Sequence, residues 1–162
     1  MNLKDINMLN KICGKDIIHV ECPHITEKKF IAYCKRVRPL LFCITPANYQ
    51  FVQAEFGLDG LTPEEFSETL TRIYKELKGV CQIQLHVHIS QFPKRVPNKR
   101  KRELIENAYY FMKNKVGITP TKIVFGWFSY DEDCKKISEK LDLNIIENHF
   151  HIYDRDIKPL EN

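Results

Sequence analysis

Short apolar runs rich in β-branched residues alternate along the chain with longer stretches in which apolar residues recur every three or four positions. A short apolar run bounded by turn residues is typical of a buried strand, whereas the longer period is typical of an amphipathic helix. We therefore predict five strands, over residues 17–22, 40–45, 81–90, 122–125 and 143–147. Helices are predicted between them, over 26–34, 62–78 and 99–115, and from residue 131 onward.

The helix that starts at Thr62 has the clearest boundaries. Thr62 can cap the helix, Pro63 suits its first position, and Glu65 completes a capping box. Gly79 follows the last apolar position and ends the helix. By contrast, residues 47–60 lack a regular period and are predicted to form a loop, whose aromatic rings pack at the mouth of the sheet or cover it as a lid.

Alternation of strands and helices favours a parallel sheet with right-handed crossovers, and hence an α/β fold. The chain has 162 residues, whereas a closed eight-stranded barrel typically needs about 250. We therefore predict that residues 1–162 form a single domain, an incomplete or distorted (β/α) barrel of about five to seven strands. A doubly wound open sheet is the alternative.

Composition limits the function classes. Hydrophobic residues make up 43% of the chain, but no apolar stretch of 18 residues occurs, which predicts no membrane span. No apolar leader follows Met1, so we expect a cytoplasmic protein. The six cysteines are scattered without a Cys-X-X-Cys pair, which favours buried, reduced thiols.

The formal net charge is +4, and the basic residues include a cluster that we call the basic run: Lys94, Arg95, Lys99, Arg100, Lys101 and Arg102. The basic run could bind phosphate or another polyanion, or it could be a solvated loop and helix start. Aromatic residues do not interleave it, so nucleic acid is not the expected partner.

His86 and His88 lie two residues apart near the end of the third predicted strand. Side chains at positions i and i+2 of a strand point to the same face. In α/β folds the carboxyl ends of parallel strands are where sites are built. The pair could therefore hold one divalent metal ion; the alternative is two histidines packed on a sheet face.

Other polar and aromatic residues follow the predicted strand ends and should lie at the same edge: Glu21, His24, Thr45, Trp127, Ser129, Tyr130, His149 and His151. One carboxylate with two imidazoles is a ligand set of hydrolytic zinc centres. We predict that Glu21, His86 and His88 bind zinc, with cobalt or nickel as alternatives. Glu21 could instead be a general base or cap the following helix. His149 or His151 could protonate a leaving group, or both could lie on a surface loop.

Two segments resemble the polysaccharide deacetylases, closest to their divergent branch. Residues 83–88, Ile-Gln-Leu-His-Val-His, resemble the third strand that carries metal-binding histidines in that branch. Residues 117–130, which run from Gly117 and Pro120 to Trp127 and Tyr130, resemble a stretch in which a Gly-X-X-Pro turn leads a strand into a Gly/Trp/Tyr-bearing loop. Residues 131–143 are similar to the next helix and turn, and the order of elements matches over 17–152.

The resemblance implies an incomplete (β/α) barrel that removes an acyl group from an amino sugar with the help of a metal ion. The chain departs from the family pattern at three places. The first strand normally ends in paired aspartates, a metal ligand and a catalytic base, but residues 20–22 contain only Glu21. The two histidines are closer together than in the usual motif. Residues 125–127 are Phe-Gly-Trp, where an arginine is expected.

Three functional hypotheses follow. The first is a metal-dependent hydrolase of a carbohydrate or other small amide, with Trp127 and Tyr130 against the substrate. The second is a metal-dependent phosphoesterase or amidohydrolase-like barrel, although the His-X-His pair of those barrels normally lies on the first strand. The third is a catalytically inactive deacetylase-like scaffold that binds a polyanion or a partner through the basic run.

Overall fold

The computed structural model describes residues 16–147 and 152–159. Its strands are β1 (Ile17–Val20), β2 (Leu40–Cys43), β3 (Gln82–Val87), β4 (Lys122–Phe125), β5 (Asn144–Ile145) and β6 (Ile152–Tyr153). Its α-helices are α1 (Pro23–Val37), α2 (Tyr49–Glu55), α3 (Pro63–Leu77), α4 (Asn98–Tyr110) and α5 (Glu132–Lys140). The described residues also form four short 3₁₀ turns, at Pro46–Asn48, Pro93–Arg95, Gly126–Phe128 and Asp154–Asp156, and a π-helical turn at Phe111–Val116.

The strands form one parallel sheet in the order β5-β4-β3-β2-β1-β6. Five strands follow one another in chain order, as in a barrel, and β6 pairs with β1 as the last strand of a barrel would. Within the described ranges the gap in this ring falls between β5 and β6. The predicted incomplete (β/α) barrel is confirmed. The doubly wound alternative is wrong, because that fold covers both faces of its sheet with helices, whereas here the buried hydrophobic residues of the described helices all belong to the apolar cluster on one face.

The two faces of the sheet bury different residues. One face packs against the helices and carries the larger apolar cluster, which includes Ile18, Leu41, Leu85 and Ile123. The opposite face carries a small apolar cluster of Ile17, Leu40, Phe42 and Val124. Residues two apart on a strand point to the same face. On this inner face, β1 therefore continues from Ile17 to the polar residues His19 and Glu21. In the same way, β3 continues from Gln84 to His86 and His88.

Several boundaries differ from the predictions. The predicted loop contains α2, and the predicted fifth strand shortens to β5, two residues long. The helix predicted over 99–115 is α4 followed by the π-helical turn. Strand β6 was not predicted, because two residues leave no periodic signal. The predicted N-terminal strand and helix are present, but α1 starts at Pro23 rather than Thr26.

The capping box at Thr62 and Glu65 is present. Five cysteines lie in the described part of the chain, where all are free and buried. No helix in the described ranges combines the length and apolar character that a membrane crossing needs.

Candidate metal centre

Glu21, His86 and His88 meet at the carboxyl edge of the sheet, and all three are buried. The Nε2 atoms of His86 and His88 are 3.0 Å apart. Glu21 Oε1 lies 3.9 Å from Nε2 of His86, and its Oε2 lies 3.6 Å from Nε2 of His88. The structure therefore brings together the three predicted metal ligands, although Glu21 follows β1 and the histidines lie at the end of β3, with β2 between the two strands.

This donor set fits a divalent ion. Ligand atoms around one tetrahedral zinc stand roughly 3.4 Å apart, close to the separations of 3.0 to 3.9 Å between these atoms. Burial lowers the pKa of His88 from 6.5 to about 3, so its imidazole is neutral at pH 7 and can act as a metal ligand. The cluster could hold a metal and would leave a coordination position open.

Four residues hold His88 in place. The side chain of Asn48 donates to the His88 carbonyl at 2.8 Å and accepts from its backbone N–H at 3.0 Å. The ring of Phe51 stacks on the imidazole with centroids 3.6 Å apart, and Trp127 contacts it edge-on at 5.0 Å. A Cβ at Gly126 would overlap the imidazole. The His88 ring is therefore confined on several sides.

The last described segment supports Glu21. The buried carboxylate of Asp154 accepts the backbone N–H groups of Glu21 and Cys22 at 2.9 and 3.1 Å, and the Thr26 hydroxyl at 3.2 Å. Burial raises the pKa of Asp154, and these three donors act against that rise. The guanidinium of Arg155 lies 3.6 Å from Glu21 Oε1. A segment more than 130 residues later in the chain therefore fixes the backbone and offsets the charge of Glu21.

A cavity of about 510 Å³ opens above the cluster. Besides the three predicted ligands, its walls include Phe51 and Phe56, from the segment whose rings were expected at the mouth of the sheet. They also include residues that the sequence did not single out for a site: His19, Glu55, Phe128, Tyr153 and Arg155. A volume of this size is typical of small-molecule sites. The aromatic rings give the cavity apolar sides, and its ionisable groups lie on the floor and at the rim.

His19 and Arg155 illustrate why some of these residues were missed. His19 stands two positions before Glu21 and contacts the ring of His86, with centroids 4.6 Å apart. The same period-two argument that paired His86 with His88 would have found His19. Arg155 follows β6, and no pattern in the sequence predicts that strand. The guanidinium of Arg155 also lies over the Tyr153 ring, 4.0 Å from the centroid.

The other predicted site residues have different positions. Trp127 lines the cavity and is 48% exposed. Tyr130 does not line it, because its ring stacks on Phe125 at 5.2 Å after the chain turns toward α5. His24 bonds the Gly57 carbonyl through Nε2 at 2.9 Å, so it anchors the end of the α2 segment. His149 and His151 lie outside the described residues.

The basic run is not one surface. Lys101 is buried, and its ammonium lies 2.7 Å from Asp131. Burial alone would lower the pKa of Lys101, but Asp131 outweighs burial and the pKa is raised. Arg100 lies 3.6 Å from Glu103, while Lys94, Arg95, Lys99 and Arg102 are exposed.

Comparison with known proteins gives the class of this fold. No family model matches the sequence, and no curated protein matches it. A family 4 carbohydrate esterase from Streptomyces lividans, solved in complex with acetate, superposes with a TM-score of 0.61 at 8% identity over 82% of this chain and 61% of its own. A mutant CE4 family pseudoenzyme with restored enzymatic activity gives a TM-score of 0.59 at 9% identity over 82% of this chain and 43% of its own.

A peptidoglycan N-acetylglucosamine deacetylase bound to an N-hydroxybenzamide compound gives a TM-score of 0.56 at 16% identity, over 80% of this chain and 54% of its own. The chain thus spans about half the length of these structures. The resemblance to the polysaccharide deacetylases is confirmed at the level of fold: this is a polysaccharide-deacetylase-like scaffold.

Proposed function

We propose that the protein is a metal-dependent hydrolase that removes an acyl group, in the simplest case acetyl, from an amino sugar or a related amide. The observation that carries the proposal is the cluster of Glu21, His86 and His88 on the floor of a cavity, at the carboxyl edge of a deacetylase-like sheet. The esterase solved with acetate and the N-acetylglucosamine deacetylase support the choice of substrate class.

A divalent ion at the cluster, zinc in the first place and cobalt or nickel otherwise, would polarise the substrate carbonyl and lower the pKa of a bound water. The chain's own residues have separate tasks. Glu21, His86 and His88 hold the ion. Arg155 offsets the charge of Glu21 at 3.6 Å and presents N–H donors at the cavity wall. Trp127 supplies an apolar wall for a sugar ring.

Proton transfer needs a further group. His149 and His151 remain proposed donors to the leaving group. His19 is an additional proposal, because it lines the cavity and contacts His86 without belonging to the cluster. An imidazole can both accept and donate a proton and so suits either step of an amide hydrolysis. In this proposal Glu21 is a ligand rather than the base, since its two oxygens face the two imidazoles.

A specific observation favours a second candidate, a non-catalytic scaffold. Strand β1 leads into a single carboxylate, Glu21, where the resemblance predicts two aspartates. One of the similar folds is a wild-type CE4 family pseudoenzyme from Bacillus anthracis, at a TM-score of 0.51 and 11% identity. In this alternative the cavity binds a glycan without hydrolysing it.

Metal content and acetate release separate the two candidates. We would measure bound metal by elemental mass spectrometry in the native chain, in Glu21→Gln and in His88→Ala, with His24→Gln as the control. His24 lies outside the cluster, and glutamine can keep a bond to the Gly57 carbonyl. We expect about one ion per native chain, retained in the control and lost in the other two variants.

Acetate release from an N-acetylglucosamine oligomer is then measured on the metal-loaded chain. Release that depends on Glu21 and His88 supports the hydrolase. Bound metal without release from this oligomer or from other acetylated amino sugars supports the scaffold. No metal bound after addition of zinc, cobalt or nickel contradicts the metal site itself.

A further inference from the structure

A second groove of about 520 Å³ adjoins the cavity. The two share three residues, Phe51, His88 and Trp127, which form the wall between them. A ligand longer than one sugar unit could therefore occupy both spaces by passing over Trp127. Nothing in the sequence pointed to this groove, because its residues come from segments on both sides of β3 and from α4.

Two exposed aromatic rings line the groove. Phe92 is 57% exposed and Trp127 is 48% exposed. Large apolar side chains left open at one concave surface mark a binding site. Trp127 has a positive φ of 55°, and so does Phe128 at 53°, which costs about 1 kcal/mol each for a residue with a side chain. The fold therefore presents Trp127 at an energetic cost.

The position of Phe92 is also defined. Its backbone N–H donates to the Ser90 hydroxyl at 2.9 Å, and its carbonyl accepts from Arg95. The guanidinium of Arg95 lies over the Phe92 ring, 4.7 Å from the centroid. The cation therefore covers one face of the Phe92 ring, and a ligand that contacts the rest of the ring lies close to this charge.

The charge of the groove has one sign. Arg100 is the charged residue among those that line it, and the other polar side chains there are neutral: Asn48, Gln50, His88, Ser90 and Gln91. The Arg100 side chain is 43% exposed and lies 3.6 Å from Glu103, so its remaining donors are open to a ligand. None of the described lining residues is a carboxylate. Arg100 and Arg95 therefore favour an anionic group next to an apolar ring.

We propose that this groove binds the neighbouring unit of an extended glycan and that this unit carries a carboxylate, as in a uronic acid. Arg100 and Arg95 pair with the carboxylate, and Phe92 and Trp127 contact the sugar faces. This inference extends the proposed function, because it names the substrate class of the same site. Nucleic acid fits less well, since Lys101 turns inward to Asp131 and interrupts the row of cations that a phosphate backbone requires.

The test compares an acidic ligand with its methyl ester, in which the same sugar units carry no charge. Binding of a hyaluronan tetrasaccharide, which alternates glucuronate with N-acetylglucosamine, is measured by calorimetry beside binding of its methyl ester. We expect the acid to bind roughly five- to tenfold more tightly, as one half-exposed charged contact provides. Arg100→Gln should remove most of that preference and leave the ester unchanged. Arg102→Gln is the matched control on the same helix, because Arg102 does not line the groove.

Three outcomes would overturn the proposal. Equal affinity for acid and ester shows that the groove does not select charge. An equal loss in Arg100→Gln and Arg102→Gln shows general attraction to polyanions. Tighter, Arg100-dependent binding of a single-stranded oligonucleotide assigns the groove to nucleic acid.

Failure of the proposed function is read separately. Suppose that the chain releases acetate from neutral oligomers but binds the acid and its ester equally well. This result would support the proposed hydrolase function and contradict the proposal that the groove binds an acidic glycan. Suppose instead that the chain binds no metal but prefers the acid to its ester in a way that depends on Arg100. This result would support the proposed acidic-glycan groove and contradict the proposed hydrolase function.

Discussion

His88 is held in place by contacts from several neighbouring residues. Asn48 fixes its backbone on both sides, Phe51 and Trp127 confine its ring, and Gly126 leaves room for it. A ligand held in one orientation before the metal binds loses little entropy on binding. Affinity for metal should therefore depend on residues that never touch the ion.

Gly126→Ala tests this dependence. The added methyl group would overlap the His88 imidazole, which cannot move aside between Phe51 and Trp127. We expect metal affinity to fall at least roughly tenfold and the free energy of unfolding to fall by about 1 to 3 kcal/mol. Competition with a chelator and urea denaturation measure the two quantities.

Gly79→Ala is the control for that substitution, because an added Cβ there meets nothing within 4 Å. It should leave metal affinity unchanged. Equal metal affinity in Gly126→Ala and the native chain would show that His88 is not held as described.

Helices α4 and α5 are joined by a buried ion pair. Lys101 near the start of α4 lies 2.7 Å from Asp131, which also caps α5 by accepting the Cys134 N–H at 3.1 Å. The side chains of Lys101 and Asp131 are 2% and 10% exposed. Removing one partner of such a pair leaves the other charge buried, and this makes the pair important for docking the two helices.

Asp131→Asn removes the negative charge but keeps the helix cap, because asparagine is also a good N-cap residue. We expect the free energy of unfolding at pH 7 to fall by about 3 kcal/mol. Burial raises the pKa of Asp131, but the hydrogen bonds from Lys101 and Cys134 and the charge of Lys101 together outweigh burial, and the pKa lies below 3.8 in the folded chain. The contribution is therefore complete above about pH 4 and is lost as pH falls through the folded pKa.

Urea denaturation from pH 7 down to pH 3 measures this difference. The difference in the free energy of unfolding between the native chain and Asp131→Asn should become smaller toward pH 3. Asp133→Asn is the control, since Asp133 is 46% exposed and 3.6 Å from Lys101; it should change stability by less than about 0.5 kcal/mol. A gap that widens toward low pH would contradict the assignment.

At the scale of the whole molecule, the candidate metal cluster of Glu21, His86 and His88 joins distant parts of the sheet. Glu21 follows β1, the histidines belong to β3 and its end, and Asp154 after β6 fixes the backbone of Glu21. The folded chain assembles this cluster and the unfolded chain does not. Metal binding should therefore stabilise the fold as a whole.

Zinc titration of unfolding tests the linkage. At a free zinc concentration about 100 times the dissociation constant, the free energy of unfolding should rise by about 2.7 kcal/mol, and a chelator should reverse the rise. Glu21→Gln should lose most of this gain, while His24→Gln should keep it. A rise of equal size in Glu21→Gln would mean that the zinc binds elsewhere.

Local patterns allowed much of this fold to be predicted. The strand-helix alternation, the Thr62 capping box and the shared face of His86 and His88 depend on residues close in sequence, and all three are present. Residue 19 belonged to the same period-two pattern and was overlooked. The single domain and the cytoplasmic location stay predictions.

The sequence by itself determined the class of fold and the shared face of His86 and His88, because periodicity is a local property that side-chain burial enforces. It also named Glu21 as the third candidate ligand. Only the tertiary structure decided that Glu21 faces the histidines, that β6 pairs with β1, and that Arg155 reaches the cavity. It also turned Lys101 from a surface cation into a buried partner of Asp131. These features are contacts between segments far apart in the chain, and they form only when the sheet brings the carboxyl ends of its strands to one edge.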